Sequence, residues 1–375
     1  MNIDLGAVPF IDGHMHAPLA ARPATAEEYA WPWYEGNREY LEMAAELVPF
    51  RWAMRQMAEW LNCEPDEASI VAAVATRSDA DWRAECIERG NVGGLVLDTG
   101  YPPPDVVVPH TELAKQLPVA WLVRIEVEAQ RLLAEATSLG DWLDRVDAAC
   151  DAGLDAGAAG LKSIIAYRSG LGVSEVDMAA AHAAFGHVAA AARAGEEVRL
   201  SAKPLNDLLV LRALDVCRRR DVSLQLHAGY GDRDIDLRLG SPFGFRWALE
   251  SGAADGVQVV FLHASWPHIR DAAVMAAIHH HVYVDIAACI PPIGHAGLLE
   301  CWREALTVAP ITRIHASSDA AGVFEHVTIG AIRARQTLGV VLGELVSTGE
   351  LSRAEAERAG ELILGGNSRR LYGLG

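Results

Sequence analysis

The sequence predicts a (β/α)8 barrel, and three observations carry that prediction. Eight short runs rich in Val, Ile, Leu and Phe recur along the 375 residues, each bounded by turn or polar residues as buried strands are. Helical spacing of apolar residues fills most of the gaps between them, and a repeated strand–helix order implies parallel strands joined by right-handed crossovers. Residues with metal-binding and acid–base chemistry stand at the carboxyl ends of several runs, where barrel enzymes place their sites. A doubly wound sheet would have to gather those residues at an open edge, which explains their placement less well.

The runs fall near 7–13, 92–99, 119–126, 159–166, 222–228, 257–263, 281–287 and 311–317. The first is followed by His14-Met15-His16. Residues i and i+2 of a strand share a face, so the two imidazoles stand about 6–7 Å apart along the backbone. Neutral imidazole is the commonest nitrogen ligand for zinc and similar ions. His227 follows the fifth run, His263 closes the sixth, and Asp319 follows the eighth. Lys162 lies inside the fourth, an apolar setting where a bare ammonium is costly. Helical periodicity covers 127–150 (Leu132, Leu133, Ala136, Leu143, Val146), 176–195 and 268–280.

Two segments depart from a minimal barrel. Residues 17–90 form a long insertion after the first strand, with helical spacing at 38–62 and 66–76. It carries Trp31, Trp33, Tyr34, Trp52, Trp60 and Trp82; these aromatics could cap the site, build a subunit interface or pack the insertion against the barrel. The tail 338–375 reads as two helices, with Ser352 and Glu355 forming a capping box before the second. No repeat, low-complexity segment or linker interrupts the chain, so residues 1–375 read as one domain.

Composition narrows the functional classes. A net charge of −18 argues against nucleic acid, whose binding rests on clustered Lys and Arg. No apolar stretch approaches the 18 or so residues a membrane helix needs. The first residues, Met1-Asn2-Ile3-Asp4-Leu5, lack the basic start of a signal peptide. Six cysteines without a C-x-x-C pair suit reduced thiols. A cytoplasmic protein is expected, acting on a small molecule and assembled as a homo-oligomer, with neither nucleic acid nor membrane as partner.

Several stretches together resemble a known family. Ile11-Asp12-Gly13-His14-Met15-His16, Leu161-Lys162-Ser163-Ile164-Ile165-Ala166-Tyr167-Arg168-Ser169-Gly170-Leu171, Gln225-Leu226-His227-Ala228-Gly229-Tyr230-Gly231-Asp232, Leu262-His263-Ala264 and Ser317-Ser318-Asp319-Ala320 are similar to the amidohydrolase superfamily, in its amidohydrolase-2 branch, and within it to FluG-like proteins. The resemblance covers essentially the whole chain. It implies a (β/α)8 barrel and a metal-dependent hydrolase, on a scaffold that also supports decarboxylation and isomerisation. FluG proteins often fuse this domain to a glutamine-synthetase-like one; the chain stops at Gly375, so that partner is expected to be absent from it. In binuclear relatives a fourth-strand lysine is carboxylated and bridges two ions, and Gly160-Leu161-Lys162 resembles that context.

The residue types then suggest roles. His14, His16 and Asp319 supply two nitrogens and a carboxylate to a divalent ion, expected to be Zn2+ with Mn2+ as the alternative, and one ion is favoured over two. Such an ion lowers the pKa of a bound water toward about 7. Asp319 would take the proton and pass it to the leaving group; its bland alternative is a helix N-cap. His227 is a third imidazole ligand or serves a second ion. His263 serves that second ion or polarises the substrate carbonyl. Lys162 is a carboxylated bridge, an ion-paired lysine or a holder of the substrate's acid group. Tyr167 and Arg168 follow the fourth strand toward the substrate, and the arginine fork fits a carboxylate unless it forms an ordinary surface salt bridge. Arg124 and Glu126 end the third strand and could pair. Asp232, Asp234 and Asp236 read as a solvated or supporting loop, and His279-His280-His281 as a helix end suited to the dipole. The expected reaction is hydrolysis of an amide C–N bond in a carboxylate-bearing small molecule such as a γ-glutamyl amide. A decarboxylase and a non-catalytic partner of a glutamine-synthetase-like enzyme are the alternatives.

Overall fold

In the computed structural model, which describes residues 2–34, 38–290 and 292–375, the eight expected strands are all present. They are β1 (Phe10–His16), β2 (Val92–Asp98), β3 (Val119–Arg124), β4 (Gly160–Ser163), β5 (Ser223–Leu226), β6 (Val259–Phe261), β7 (Val282–Ala287) and β8 (Ile314–Ser317). Their order in the sheet is their order in the chain, with parallel pairing. This is the topology of a (β/α)8 barrel, as the apolar runs predict.

The boundaries differ in ways that matter for the site. β1 starts at Phe10 rather than residue 7, because Pro9 has no N–H for a ladder and the Val8 amide closes a turn onto the Leu5 carbonyl at 3.0 Å. His14 and His16 are therefore residues of the strand itself, so the i, i+2 geometry applies to them directly. β3 stops at Arg124, and Glu126 falls in the first turn of the helix Ile125–Arg131. β4 stops at Ser163, and Ile165–Tyr167 form a 3₁₀ turn instead of prolonging the strand. The expected helix over 127–150 is two helices, the second starting at Leu139, because the Ser138 hydroxyl caps it by accepting from the Asp141 amide.

Contacts within the chain divide it into two compact units. One comprises Met1–Ala120, Gly231–Arg233 and Asp285–Gly375, the other Trp121–Tyr230 and Asp234–Val284. The first unit holds the insertion, whose helices include Val48–Leu61, Glu67–Val74 and Asp79–Gly90. Its aromatics pack inward: Trp60 stacks on Trp82 with centroids 4.7 Å apart, and Trp33 meets His326 edge-on at 3.9 Å. Arg333 covers the Trp52 ring at 4.7 Å. These contacts join the insertion to the long helix Glu325–Ser347, which settles most of those aromatics as packing. The expected capping box at Ser352 and Glu355 closes both of its hydrogen bonds. In each unit a buried tryptophan finds a partner for its N–H: Trp302 donates to Thr337 Oγ1 at 2.9 Å, and Trp142 to the Ala129 carbonyl at 2.9 Å. Among the described residues no helix is long and apolar enough to cross a membrane, and the six cysteines are free thiols.

His315 on β8 belongs to this packing. Its Nδ1 lies 2.9 Å from Ser368 Oγ, and burial, with Arg370 and Arg313 nearby, pushes its pKa from 6.5 down to about 3. The neutral ring stabilises the fold fully above pH 6.5. Below that the unfolded chain takes up a proton that the folded chain refuses until near pH 3, costing about 1.4 kcal/mol per pH unit. His315→Gln, which can keep the Ser368 contact, is expected to lose about 2 kcal/mol less stability than the wild type between pH 6.5 and 5, read by chemical denaturation at both pH values.

Candidate active site

In the first unit β1 ends in two imidazoles whose rings stand 5.3 Å apart, edge to face, while Met15 between them is buried on the opposite side. The Nε2 atoms of His14 and His16 lie 3.3 and 3.6 Å from one atom, Asp319 Oδ1. His16 Nδ1 sits 3.0 Å from the Tyr101 carbonyl. A carbonyl only accepts, so Nδ1 carries the proton and Nε2 presents its lone pair. Asp98, the last residue of β2, pairs in register with His16. The ligand atoms of His14, His16 and Asp98 all fall within 4.8 Å of one another.

Asp319 is positioned by the chain on either side of it. The buried Asp12 carboxylate of β1 accepts from the Ser318 amide at 2.8 Å and from the Ser318 hydroxyl. That hydroxyl in turn accepts from the Ala320 amide at 2.9 Å. The Asp319 amide donates to the His14 carbonyl at 3.0 Å, and the His16 amide to the Ala320 carbonyl at 2.7 Å. Asp319 takes a left-handed φ of 51°, a conformation that costs a non-glycine residue about 1–3 kcal/mol. This bracket of hydrogen bonds holds the strain. The helix after it begins only at Glu325 and has no side-chain cap, so the N-cap alternative for Asp319 falls. Burial raises the Asp12 pKa to about 8, with Asp285 adding to the effect.

The second unit gathers the other expected residues. The His227 ring lies 4.4 Å from that of His263 and 4.4 Å from that of Tyr167. Lys162 is buried on β4, opposite Gln225 of β5 in the register. Glu126 does not spend its carboxylate on Arg124 alone: Oε1 accepts from the Ser163 hydroxyl at 2.5 Å and the Ile164 amide at 2.9 Å, bracing the end of β4. Arg168 forms no ion pair among the described residues, and its buried Nε lacks a hydrogen bond. Burial, with Arg199 adding to it, lowers its pKa. The surface salt bridge offered as its alternative is absent among the described residues. Asp234 pairs with Arg199 at 2.6 Å and Asp236 with Arg238 at 2.6 Å, as suits a solvated loop. His279 caps the helix Ile269–Ile278.

The amidohydrolase family profile matches residues 170–374. The chain belongs to the amidohydrolase family. It is 32% identical to protein FluG of Emericella nidulans over 98% of its own length. It spans about half of that relative, 46%. A Lactobacillus casei protein assigned as a metal-dependent hydrolase shares 26% identity, with a TM-score of 0.88 over 100% of this chain and 98% of that one. The glucuronate isomerase of Caulobacter crescentus shares the fold at 13% identity, with a TM-score of 0.70 over 98% and 92% of the two chains.

Two residues of this amidohydrolase escaped sequence reasoning although a signal was present. Asp98 closes the run Gly94-Leu95-Val96-Leu97, and the strand-end rule that singles out Asp319 applies equally to it. Gly229 follows His227 with φ of 73°, and a Cβ there would meet the Ser265 carbonyl carbon at 2.2 Å. The loop after β5 thus rests directly on the loop after β6, where His263, Ala264 and Ser265 all take left-handed φ values of 61°, 54° and 47°. Gly229→Ala is expected to destabilise the protein by at least about 2 kcal/mol, measured by denaturant unfolding. Wild-type stability would show that the two loops separate at no cost.

Proposed function

We propose that this amidohydrolase cleaves the amide C–N bond of a small molecule that bears a carboxylate, with γ-glutamyl amides as the first class to test. The carrying observation is the convergence of His14 Nε2 and His16 Nε2 on Asp319 Oδ1, with the His16 tautomer fixed by the Tyr101 carbonyl. Two neutral imidazoles and a carboxylate make a borderline-to-hard donor set that fits a divalent transition ion, and Asp98 offers a further oxygen. Zn2+ is the ion we favour, one per chain, with Mn2+ as its substitute. Bound there, the ion would supply Lewis acidity and lower the pKa of a water toward about 7.

The remaining work falls to the chain's own groups. Asp319 is 8% exposed, so one carboxylate is open enough to take a proton from the attacking water and hand it to the departing nitrogen. Tyr101 holds His16 in register, as carbonyl partners of metal-binding histidines do. In the second unit, Arg168 is a half-buried guanidinium without an ion pair among the described residues, the state in which a substrate carboxylate adds two charge-assisted hydrogen bonds. His227 and His263, assigned from the family resemblance and their strand-end positions, supply a third imidazole and a donor to the substrate carbonyl. The Tyr167 ring lies tilted against that of His227, 4.4 Å away, at the same end of the second unit. Lys162 is left as a buried lysine rather than a carboxylated bridge, in keeping with a single ion.

His16→Ala is expected to retain less than a tenth of the wild-type metal after dialysis, measured by elemental analysis, with a native circular dichroism spectrum. Full occupancy in that variant removes the proposed centre. Arg168→Lys is expected to keep its metal and lose roughly 10–150-fold in kcat/KM on the best carboxylate substrate, the equivalent of about 1.5–3 kcal/mol for a charge-assisted bond. Unchanged kinetics would place Arg168 outside the substrate site, and release of carbon dioxide in place of an amine would overturn the hydrolytic assignment.

A further inference from the structure

The first unit contains a cavity of about 340 Å³ between the insertion and the segments that continue β1 and β8. Its walls are apolar, formed by Pro18, Leu19, Val71, Val74, Val108 and Phe324. The volume falls in the range of small-molecule sites, about 300–1,000 Å³, and is about twice that of an engineered apolar cavity that accepts benzene. The cavity is not sealed: Ala20, Ala24, Ala75 and Asp79 on its lining are exposed.

Its polar groups are unevenly satisfied. At the mouth, Arg22 is fully committed, with Nε 2.5 Å from Asp79 Oδ1 and its two terminal nitrogens donating to the Val74 and Arg77 carbonyls at 3.0 and 2.8 Å. Arg83 donates its Nε to Gln116 at 3.2 Å. Deeper in, Glu325 is 3% exposed and meets neutral groups, among them Trp82 Nε1, which donates to Oε2 at 3.0 Å, and the Tyr29 hydroxyl. Among the described residues it forms no ion pair. The Tyr29 hydroxyl, 2% exposed at the residue level, faces the same carboxyl in a geometry too poor for a regular hydrogen bond. A buried carboxylate is stable as an ion when it is paired with a charge; here burial raises its pKa, and Arg22 opposes that only weakly.

We propose that this cavity is a second ligand site, distinct from the His14–His16–Asp319 cluster, and that it takes an organic ammonium ion with a compact apolar body. The ammonium pairs with Glu325 and can donate a further hydrogen to the Tyr29 oxygen, while the apolar body fills the space between Val71, Val74 and Phe324. Three features select this class over others. The apolar walls exclude a bare inorganic cation, the carboxylate excludes an anion at the deep end, and the Tyr29 hydroxyl oxygen supplies acceptor lone pairs for a second N–H.

Isothermal titration calorimetry with benzylamine, benzyl alcohol and benzoate, close in size and different in charge, tests the assignment on the full chain. Benzylamine is expected to bind at least 10-fold more tightly than either of the others. It should bind equally well to the metal-poor His16→Ala protein, which separates this site from the proposed metal centre. Glu325→Gln, which keeps an acceptor for Trp82, should lose at least 10-fold for benzylamine and leave benzyl alcohol unchanged. Val74→Phe, which fills the cavity without touching the carboxyl, should weaken all binding of the amine. Equal affinity for the alcohol or benzoate, wild-type affinity in both cavity variants, dependence on His16, or no binding of benzylamine each overturns the proposal.

Discussion

The bond between Asp12 and Ser318 is the contact on which the candidate metal centre depends. Asp12 lies two residues before His14 on β1, and Ser318 one residue before Asp319 beyond β8. Because the Asp12 carboxylate accepts both the amide and the hydroxyl of Ser318, the two donor-bearing ends are set in one register. The backbone bonds from Asp319 to His14 and from His16 to Ala320 then leave Asp319 no relaxed conformation. Its left-handed φ directs the carboxylate toward both imidazoles, and the strain is local to the residue whose side chain matters. An Asp12 side chain spent on hydrogen bonds rather than on an ion pair suits this task, since their direction, not charge, fixes the geometry.

The second unit solves the corresponding problem with different chemistry. Glu126 fastens the end of β4 by binding Ser163 and Ile164, and the Ser163 carbonyl receives the His227 amide at 3.0 Å. Gly229 lets the following loop lie flat against Ser265 and Trp266. Three successive non-glycine residues in left-handed conformations then bring His263 beside His227. In both units the side chains with chemistry are held by neighbours that have none of their own, which is how precise placement is generally maintained.

The insertion is bound to the fold by aromatic packing that ends in a polar contact. Trp82 stacks on Trp60 and passes its N–H to Glu325, while Trp33 lies against His326. Both Glu325 and His326 open the helix that follows the Asp319 loop. Packing of the insertion and the conformation of that loop are therefore linked through adjacent residues. His326, fully buried, has its pKa pushed down to about 3, so it stays neutral there as a packing element.

The sequence by itself determined the elements and the chemistry at their ends. Continuous apolar runs and period-3.6 segments are local properties, and they located eight strands, most helices, the insertion and the Ser352 capping box. Donor-rich residues at strand ends marked His14, His16, His227, His263 and Asp319 for the same reason. The fourth apolar run carried Lys162 to its strand, with its chemical state left open. What only the tertiary structure decided was how those ends are aimed. That Asp319 faces both imidazoles rather than capping a helix depends on Asp12, more than 300 residues away in the chain, and no local pattern encodes a bond of that separation. Asp98 reads as an ordinary strand-end acid until the register sets it opposite His16. Glu126 reads as a partner for Arg124 until the fold brings Ser163 to it. Tyr167 and Arg168 read as following directly on the fourth strand until a 3₁₀ turn at Ile165–Tyr167 redirects them. The physical reason is common to the first three: element type follows from short-range periodicity, whereas side-chain direction follows from hydrogen bonds between segments that meet only once the barrel has formed.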